Sequence, residues 1–286
     1  MTSYFQLIIL ALLLLLPILY ESSAAFRYYT KFFVYGLGIT INSIILIPVF
    51  LCRPWNVRNL KIGGLFCRPI SKIIGIKWTL RGEEYMSQDK PFVIVANHQT
   101  SLDILGMLDI WDVMDKCTVV AKRELFYAWP FGLSAWLGGL IYINRNSSDK
   151  SRMILNSVGD YLKKDRVKLW IFPEGTRRNT NDIHAFKKGA FHIAISEQLP
   201  ILPVIFSSYT HFLDSKRKVF DNGEVIITTL PPISTVGMTT KDIDGLMEKT
   251  KALMKNVYLE TTAEVNAKFM KSKISGMGKK DEKATN

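Results

Sequence analysis

The sequence predicts an α/β domain with a largely parallel sheet core flanked by helices, carried behind an N-terminal pair of apolar helices. Three observations predict it. Two uncharged apolar stretches open the chain, a run of cations follows them, and from Lys90 onward short apolar runs alternate with segments of helical spacing. The chain has 286 residues at 48% hydrophobic content, enough for a sizeable core without disulfide or metal staples. Its three cysteines, Cys52, Cys67 and Cys117, form no C-x-x-C pair, so neither a zinc site nor a disulfide framework is indicated.

The first apolar stretch is YFQLIILALLLLLPILY (Tyr4–Tyr20) and the second FFVYGLGITINSIILIPVFL (Phe32–Leu51). At about 20 residues per span, the second is long enough to cross a bilayer and the first is borderline. SSAA (Ser22–Ala25) has the composition of a cleavage site. However, no Lys or Arg precedes the Leu run, so the stretch reads as an anchor rather than a cleaved signal. From Cys52 through Gly82 there are seven Lys/Arg and no acidic residue. The positive-inside rule puts that run in the cytoplasm and predicts a helical hairpin with a short luminal turn around Ser22–Lys31. The net charge of +12 also fits a nucleic-acid binder. There is no basic helix with interleaved aromatics, no zinc-finger spacing and no RNA-recognition signature, so the cations read as a membrane-flanking cluster. The chain divides into an anchor (1–51), an α/β domain (52–265) and a basic, disordered tail (266–286), in which six Lys from Lys268 face only Asp281 and Glu282.

Within the α/β domain, FVIVA (Phe92–Ala96), CTVVA (Cys117–Ala121), LIYI (Leu140–Ile143), KLWIF (Lys168–Phe172) and ILPVIF (Ile201–Phe206) read as buried strands. Helical spacing marks SLDILGMLDIW (Ser101–Trp111), SSDKSRMILNSVGDYLKK (Ser147–Lys164) and KKGAFHIAISEQL (Lys187–Leu199), and a packing helix from Thr240 to about Lys268. LFYAWPFGLSAWLGGLIYI (Leu125–Ile143) is uncharged and long enough to span, but Pro130, Gly132, Gly138 and Gly139 argue against one regular helix.

Two strand-to-helix turns carry the chemistry. FVIVAN ends at Asn97 just before His98, Thr100 or Ser101 caps the next helix, and Asp103 sits in its first turn. His98 is then outside the helix, where the Asp103 carboxylate reaches back to one imidazole nitrogen. That arrangement suits a general base. Taken alone, the same spacing serves equally a carboxylate that merely caps its helix. The second turn, IFPEGTRRN (Ile171–Asn179), carries Glu174, Gly175, Thr176 and Arg177: a glycine for close backbone approach, a hydroxyl donor, and a guanidinium fork that matches phosphate oxygens. Lys122 and Arg123 end the CTVVA strand and Arg145 ends LIYIN. All lie at or near carboxyl ends of expected strands, where open α/β sheets place ligands, so they read as a converging site for a phosphate-bearing substrate. His184, His192 and His211 lie outside these stretches and read as ordinary polar or helix residues.

NHQTSLD resembles the N-H-x4-D motif of the glycerolipid acyltransferases, and FPEGTRR their F-P-E-G-T-R motif. Lys122–Leu125 resembles their K-x-E-L block, YINR the block preceding the phosphate motif, and ILPVIF the proline-centred block, all in order over Phe92 to about Tyr209. With two N-terminal apolar segments and a short chain, the likeness is greatest to eukaryotic 1-acylglycerol-3-phosphate acyltransferases. YINR departs mildly from relatives that often carry Asp before the Arg.

The resemblance implies an enzyme that takes acyl-CoA as donor and lysophosphatidic acid as acceptor, acylating the sn-2 hydroxyl to give phosphatidic acid and CoA. His98 held by Asp103 would be the base, and Glu174 would order its turn or orient Arg177. No Gly-x-Ser-x-Gly elbow provides a serine nucleophile, so no covalent intermediate is expected. No metal is assigned, and no cofactor beyond acyl-CoA as co-substrate. The expected setting is an integral protein of the endoplasmic reticulum, its site facing the cytosol. Another lysophospholipid or glycerol 3-phosphate as acceptor, or a noncatalytic membrane scaffold, are the competing readings. A single crossing at Leu125–Ile143 would put His98 and Arg177 on opposite faces of a hydrocarbon layer about 30 Å thick, so that segment is expected to stay on one side.

Overall fold

The computed structural model describes residues 3–143 and 158–284, without the side chains of Phe5 and of 276–284. Among these residues, seven strands form one sheet: β1 (Ile76–Arg81), β2 (Val93–Ala96), β3 (Cys117–Lys122), β4 (Ile141–Ile143), β5 (Lys168–Ile171), β6 (Ile201–Phe206) and, after a small hairpin of β7 (Leu213–Asp214) and β8 (Val219–Phe220), β9 (Gly223–Thr229). The order is β1-β9-β6-β2-β5-β3-β4, and every pairing is parallel except β6 with β9. The five apolar runs marked by the sequence are β2 to β6, which run in one direction. β1 and β9 form an edge that runs the other way.

The central strands are buried on both faces, and their side chains alternate between two cores. Ile94, Ala96, Trp170 and Phe206 pack on one side, and Val93, Val95, Leu169 and Ile205 on the other. The first core is covered by α3 (Asn59–Ile73), the short α4 (Glu83–Met86), α5 (Asp103–Asp109) and α6 (Trp111–Met114). α3 has an apolar face of Leu60, Cys67 and Ile70. α7 (Phe131–Leu137) packs on the N-terminal region, while α8, described over 158–165, α9 (Gly189–Ser196) and the front half of α10 (Ile243–Ala284) cover the second core. The helix expected at Ser147–Lys164 lies partly outside the described residues.

The N-terminal region differs from the expected hairpin. α1 (Tyr4–Ser22) and α2 (Ala24–Leu51) meet at the single residue Ser23, whose Oγ accepts from Phe26 N at 3.2 Å and caps α2. The turn expected over Ser22–Lys31 is therefore helical, and its cations point at the α/β domain. Arg27 pairs with Asp221 at 3.2 Å and Lys31 donates to Asn222 Oδ1 at 2.8 Å. Further along, Tyr35 donates to Ser101 O at 3.0 Å, Asn42 donates to Phe66 O at 2.8 Å, and Leu46 and Phe50 pack on Leu137.

α2 is the one helix among the described residues long and apolar enough to cross a membrane. Its contacts run from Arg27 to Phe50, about 35 Å at about 1.5 Å per residue. If α2 crossed a hydrocarbon core about 30 Å thick, the domain bound along it would have to enter the lipid as well. It lies instead along the domain and turns an outward stripe of Phe33, Leu37, Ile41, Ile45 and Val49 away from it. α1, exposed and apolar over most of its length, adds to that surface.

Of two further segments, the first is broken as its Pro and Gly residues led one to expect and the second is not as expected. Leu125–Ile143 is broken into a 3-10 turn (Arg123–Tyr127), α7 and β4, and β4 pairs in parallel with β3. It is domain wall, joined to the sheet through β4. The tail drawn from residue 266 as disordered continues α10 to Ala284. Lys268 pairs with Glu264 one turn earlier at 2.9 Å, Phe269 stacks edge-on to His211, and Lys273 reaches Asp221 at 3.7 Å, so tertiary contacts extend the helix.

The docking of α2 predicts a topology result. In a Cys52→Ser background, Ser22→Cys and Ser215→Cys should react alike with an impermeant maleimide in sealed microsomes. Protection of Ser22→Cys alone, lifted by permeabilisation, would show that α2 crosses the bilayer.

Candidate active site

β2 and β5 are neighbours in register, Val93 beside Leu169 and Val95 beside Ile171, so the turns that follow them leave the sheet side by side. The turn after β2 is pinned by its polar residues. Asn97 exchanges two hydrogen bonds with the Phe206 backbone (3.0 and 2.8 Å), and Gln99 Nε2 donates to Phe206 O and Ser207 O (3.1 and 2.9 Å). These buried amides fasten the turn to the end of β6 and leave His98 between them facing outward.

Asp103, fully buried at the first residue of α5, collects three donors on Oδ2: Gln99 N at 2.7 Å, Thr100 N at 3.0 Å and the His98 ring at Nδ1, 2.7 Å. A buried carboxylate at Nδ1 dictates the tautomer with the proton on that nitrogen, which leaves the Nε2 lone pair free. The ring plane is set from the other turn, because Phe172 stacks on His98 with centroids 4.0 Å apart and planes 20° apart.

The turn after β5 is tied to the first by Glu174. Its Oε1 accepts from His98 N at 2.7 Å and Oε2 from His184 N at 3.1 Å, and Arg178 N donates to His98 O at 3.1 Å. Burial raises the Glu174 pKa, and the two backbone N–H groups oppose that by favouring the carboxylate. Gly175 has a φ of +70°, a left-handed conformation open to glycine, and a Cβ there would meet the Lys187 side chain at 2.9 Å. Thr176 and Arg177 follow it on the exposed side of the turn. Among the described residues, Arg177 pairs with no carboxylate.

His98, Gly175, Thr176, Arg177 and Lys122 all line one cavity of about 810 Å³. That falls within the roughly 300–1,000 Å³ usual for small-molecule pockets. Its walls are α2, α3, α5 and the 3-10 turn with α7, and both Tyr35 and Phe50 of α2 line it. Those two residues lie about 22 Å apart along one helix axis, so the cavity is long as well as large. Away from His98 the lining is largely apolar, with Leu46, Phe50, Leu60, Leu108 and Trp111. Cys67 also lines it, and burial pushes its thiol up to about 11, so it stands there as a neutral group and not as a nucleophile.

The structure therefore gathers Glu174, Gly175, Thr176, Arg177 and Lys122 around the His98–Asp103 pair, as the sequence led one to expect, with Lys122 reaching Glu124 at 3.2 Å. Arg123 does not join them. It is exposed at the start of the 3-10 turn and is not part of the cavity wall, because successive residues leaving a strand point to opposite sides. Arg145 lies outside the described residues. Sequence reasoning missed Phe172, whose ring fixes the imidazole plane, and His184, whose backbone N–H donates to Glu174 and whose Nε2 lies 2.7 Å from Thr180 Oγ1. The Phe172 signal was present, since it is the first residue of FPEGTRR.

A family model described as Acyltransferase matches residues 77–207. The human "1-acyl-sn-glycerol-3-phosphate acyltransferase alpha" is 36% identical over 250 residues, covering 87% of this chain and 88% of the relative. The human beta form is 35% identical over 251 residues, covering 87% and 90%. The alpha form of Bos taurus is 36% identical over 249 residues, covering 87% and 86%. The crystal structure of the 1-acyl-sn-glycerophosphate (LPA) acyltransferase PlsC from Thermotoga maritima superposes with a TM-score of 0.64 at 22% identity, covering 82% of this chain and 93% of that one. That likeness is one of fold.

Glu174 is expected to hold the two turns together rather than to move protons. Glu174→Ala strands two backbone N–H groups and should lower unfolding free energy by about 2 kcal/mol. Glu174→Gln, which keeps one acceptor, should lose roughly half of that. Equal stability of all three proteins in thermal unfolding would remove Glu174 from this role.

Proposed function

The chain belongs to the family of 1-acyl-sn-glycerol-3-phosphate acyltransferases, and on that premise we propose that it transfers a fatty acyl chain from acyl-CoA to the sn-2 hydroxyl of lysophosphatidic acid, with His98 as general base. The observation that carries this reading is the His98–Asp103 contact of 2.7 Å at the wall of a long apolar cavity that also holds Arg177 and Lys122. A base, cations for a phosphate and an apolar sleeve are the three things this reaction asks of a protein.

In the proposed step, His98 Nε2 takes the proton of the acceptor hydroxyl as its oxygen attacks the thioester carbonyl carbon. The C–S bond then breaks, CoA leaves as thiolate, and the imidazolium returns its proton to the sulfur. Asp103 holds the ring and favours the imidazolium while remaining ionised. The guanidinium of Arg177, without a carboxylate partner among the described residues, suits a two-pronged contact with the acceptor phosphate, and Thr176 and Lys122 add a hydroxyl and a second cation. The cavity between α2 and α3 suits the acyl chain, which would enter from the lipid that the outer stripe of α2 faces. On this reading the site works at the cytosolic face of an internal membrane, the endoplasmic reticulum, where acyl-CoA is met.

Purified protein in detergent or nanodiscs should convert lysophosphatidic acid and acyl-CoA to phosphatidic acid, and His98→Ala should lower turnover by about 10²–10⁴ or more. Near-normal turnover in that variant would sink the base assignment. Arg177→Ala should raise KM for lysophosphatidic acid more than for acyl-CoA, with only partial rescue by Arg177→Lys. A raised acyl-CoA KM with an unchanged acceptor KM would move Arg177 to the donor. Faster turnover of a different lysolipid would replace the acceptor named here.

A further inference from the structure

Asp103 has two carboxylate oxygens, and the contacts described so far use one. Oδ2 takes the His98 ring and two backbone N–H groups, whereas Oδ1 is buried and has no hydrogen bond. The hydroxyl of Tyr209, a side chain 0% exposed, is in the same condition. Among the described residues ten buried side-chain polar atoms lack a partner, and these two, an acceptor and a hydroxyl donor beside the site, match each other's need.

They lie against the same wall. Gly106, one turn after Asp103 on α5, backs onto the rings of Trp78 and Phe206, the first of which packs with Tyr209. A Cβ at Gly106 would stand 2.8 Å from Phe206 and 2.7 Å from Trp78. The Trp78 ring centroid is 6.3 Å from that of Tyr209. The turn leading into α5 is bonded through Gln99 to Phe206 O and Ser207 O, two residues before Tyr209 in the chain. The face of α5 that carries Asp103 is thus turned toward the wall that Tyr209 shares with Trp78. Burial first, and the Asp103 charge next, push the Tyr209 pKa well up, so the hydroxyl keeps its proton.

We propose that Tyr209 is a positioning residue whose hydroxyl donates to Asp103 Oδ1, completing a chain Tyr209–Asp103–His98 that holds the carboxylate from both sides. The proposal rests on the reading of His98 as general base. With a donor on each oxygen, the carboxylate is fixed in rotation about its Cβ–Cγ bond, and part of its charge is drawn away from the imidazole. The other titratable groups facing the pair are Glu174 on the His98 N–H, His184 beyond it, Tyr35 on Ser101 O, Arg177, Lys122, Glu124 and Cys67 at the cavity, and Tyr258 of α10 at 3.3 Å from Gln99 Oε1.

Tyr209→Phe keeps the ring and removes the donor. Turnover should fall about 10-fold with both KM values unchanged. The acid limb of the kcat/KM profile should move to higher pH, because a carboxylate with fewer donors holds the imidazolium proton more firmly and the base must be neutral to act. In an Asp103→Asn background the same change should cost nothing further. Thermal stability should fall, whereas an idle buried hydroxyl would leave it level or raised. A site-specific 3-fluorotyrosine at 209, a stronger donor of nearly the same shape, should move the acid limb to lower pH. It serves equally if Tyr209→Phe does not fold. An unmoved acid limb in either variant, or a full additional loss on top of Asp103→Asn, overturns the proposal. If His98→Ala is inactive in the same assay, such a result leaves the acyl-transfer reading standing, whereas an active His98→Ala removes that reading itself.

Discussion

The parallel pairing of β2 with β5 is the constraint on which the site depends. Parallel neighbours cannot be joined by a tight turn, and here the chain makes β3 and β4 before β5 returns to lie between β2 and β3. His98 and Glu174 therefore meet across 76 residues of sequence. The register that sets Val95 beside Ile171 also sets the two turns at one level. A slip of one residue would turn Trp170 and Leu169 to the wrong cores, so the hydrophobic cores and the alignment of the turns are held by the same pairing. Glu174 and Phe172 then convert nearness into a fixed geometry, one through backbone N–H groups and the other through a ring face.

α2 does two jobs with two faces. The inner face is fastened by an ion pair, three polar contacts and apolar packing, and it supplies Tyr35, Ile39, Leu46 and Phe50 to the cavity. The outer face is apolar and open. A wall shared between a cavity and a lipid-facing surface offers a hydrocarbon chain a route that avoids water, and avoiding water is the main energetic demand of such a substrate.

Much of this was legible in the sequence. β2, β3, β5 and β6 are largely buried on both sides and read as unbroken apolar runs, whereas β4, expected to be buried, is a half-buried strand at the sheet edge; both turns of the site carried residue types with a clear chemical use. The edge strand β1 was not legible, because IKWTLR exposes Lys77 and Arg81 and owes its place to pairing with β9, far along the chain. α3 was hidden by its cations and by Gly63, Gly64 and Pro69, although its apolar face packs throughout. Hydropathy placed the apolar helices but not their docking. Arg27 and Lys31 looked like residues at a membrane boundary until Asp221 and Asn222 appeared opposite them. Tyr209 carried no local signal, since its meaning comes entirely from what lies across the core.

The fastening of α2 changes what a soluble version of this protein would be. Cutting at Leu51 to shed the greasy N-terminus follows the hydropathy profile, yet it removes one side of the cavity and uncovers Leu60, Cys67 and Leu108. The shortened chain would lose Tyr35 from Ser101 and leave Asp221 without Arg27. Such a fragment is a different molecule, with a groove where the whole chain has a sleeve. Solubility is better sought by changing the outward stripe of Phe33, Leu37, Ile41 and Val49 to polar residues while keeping the helix in place.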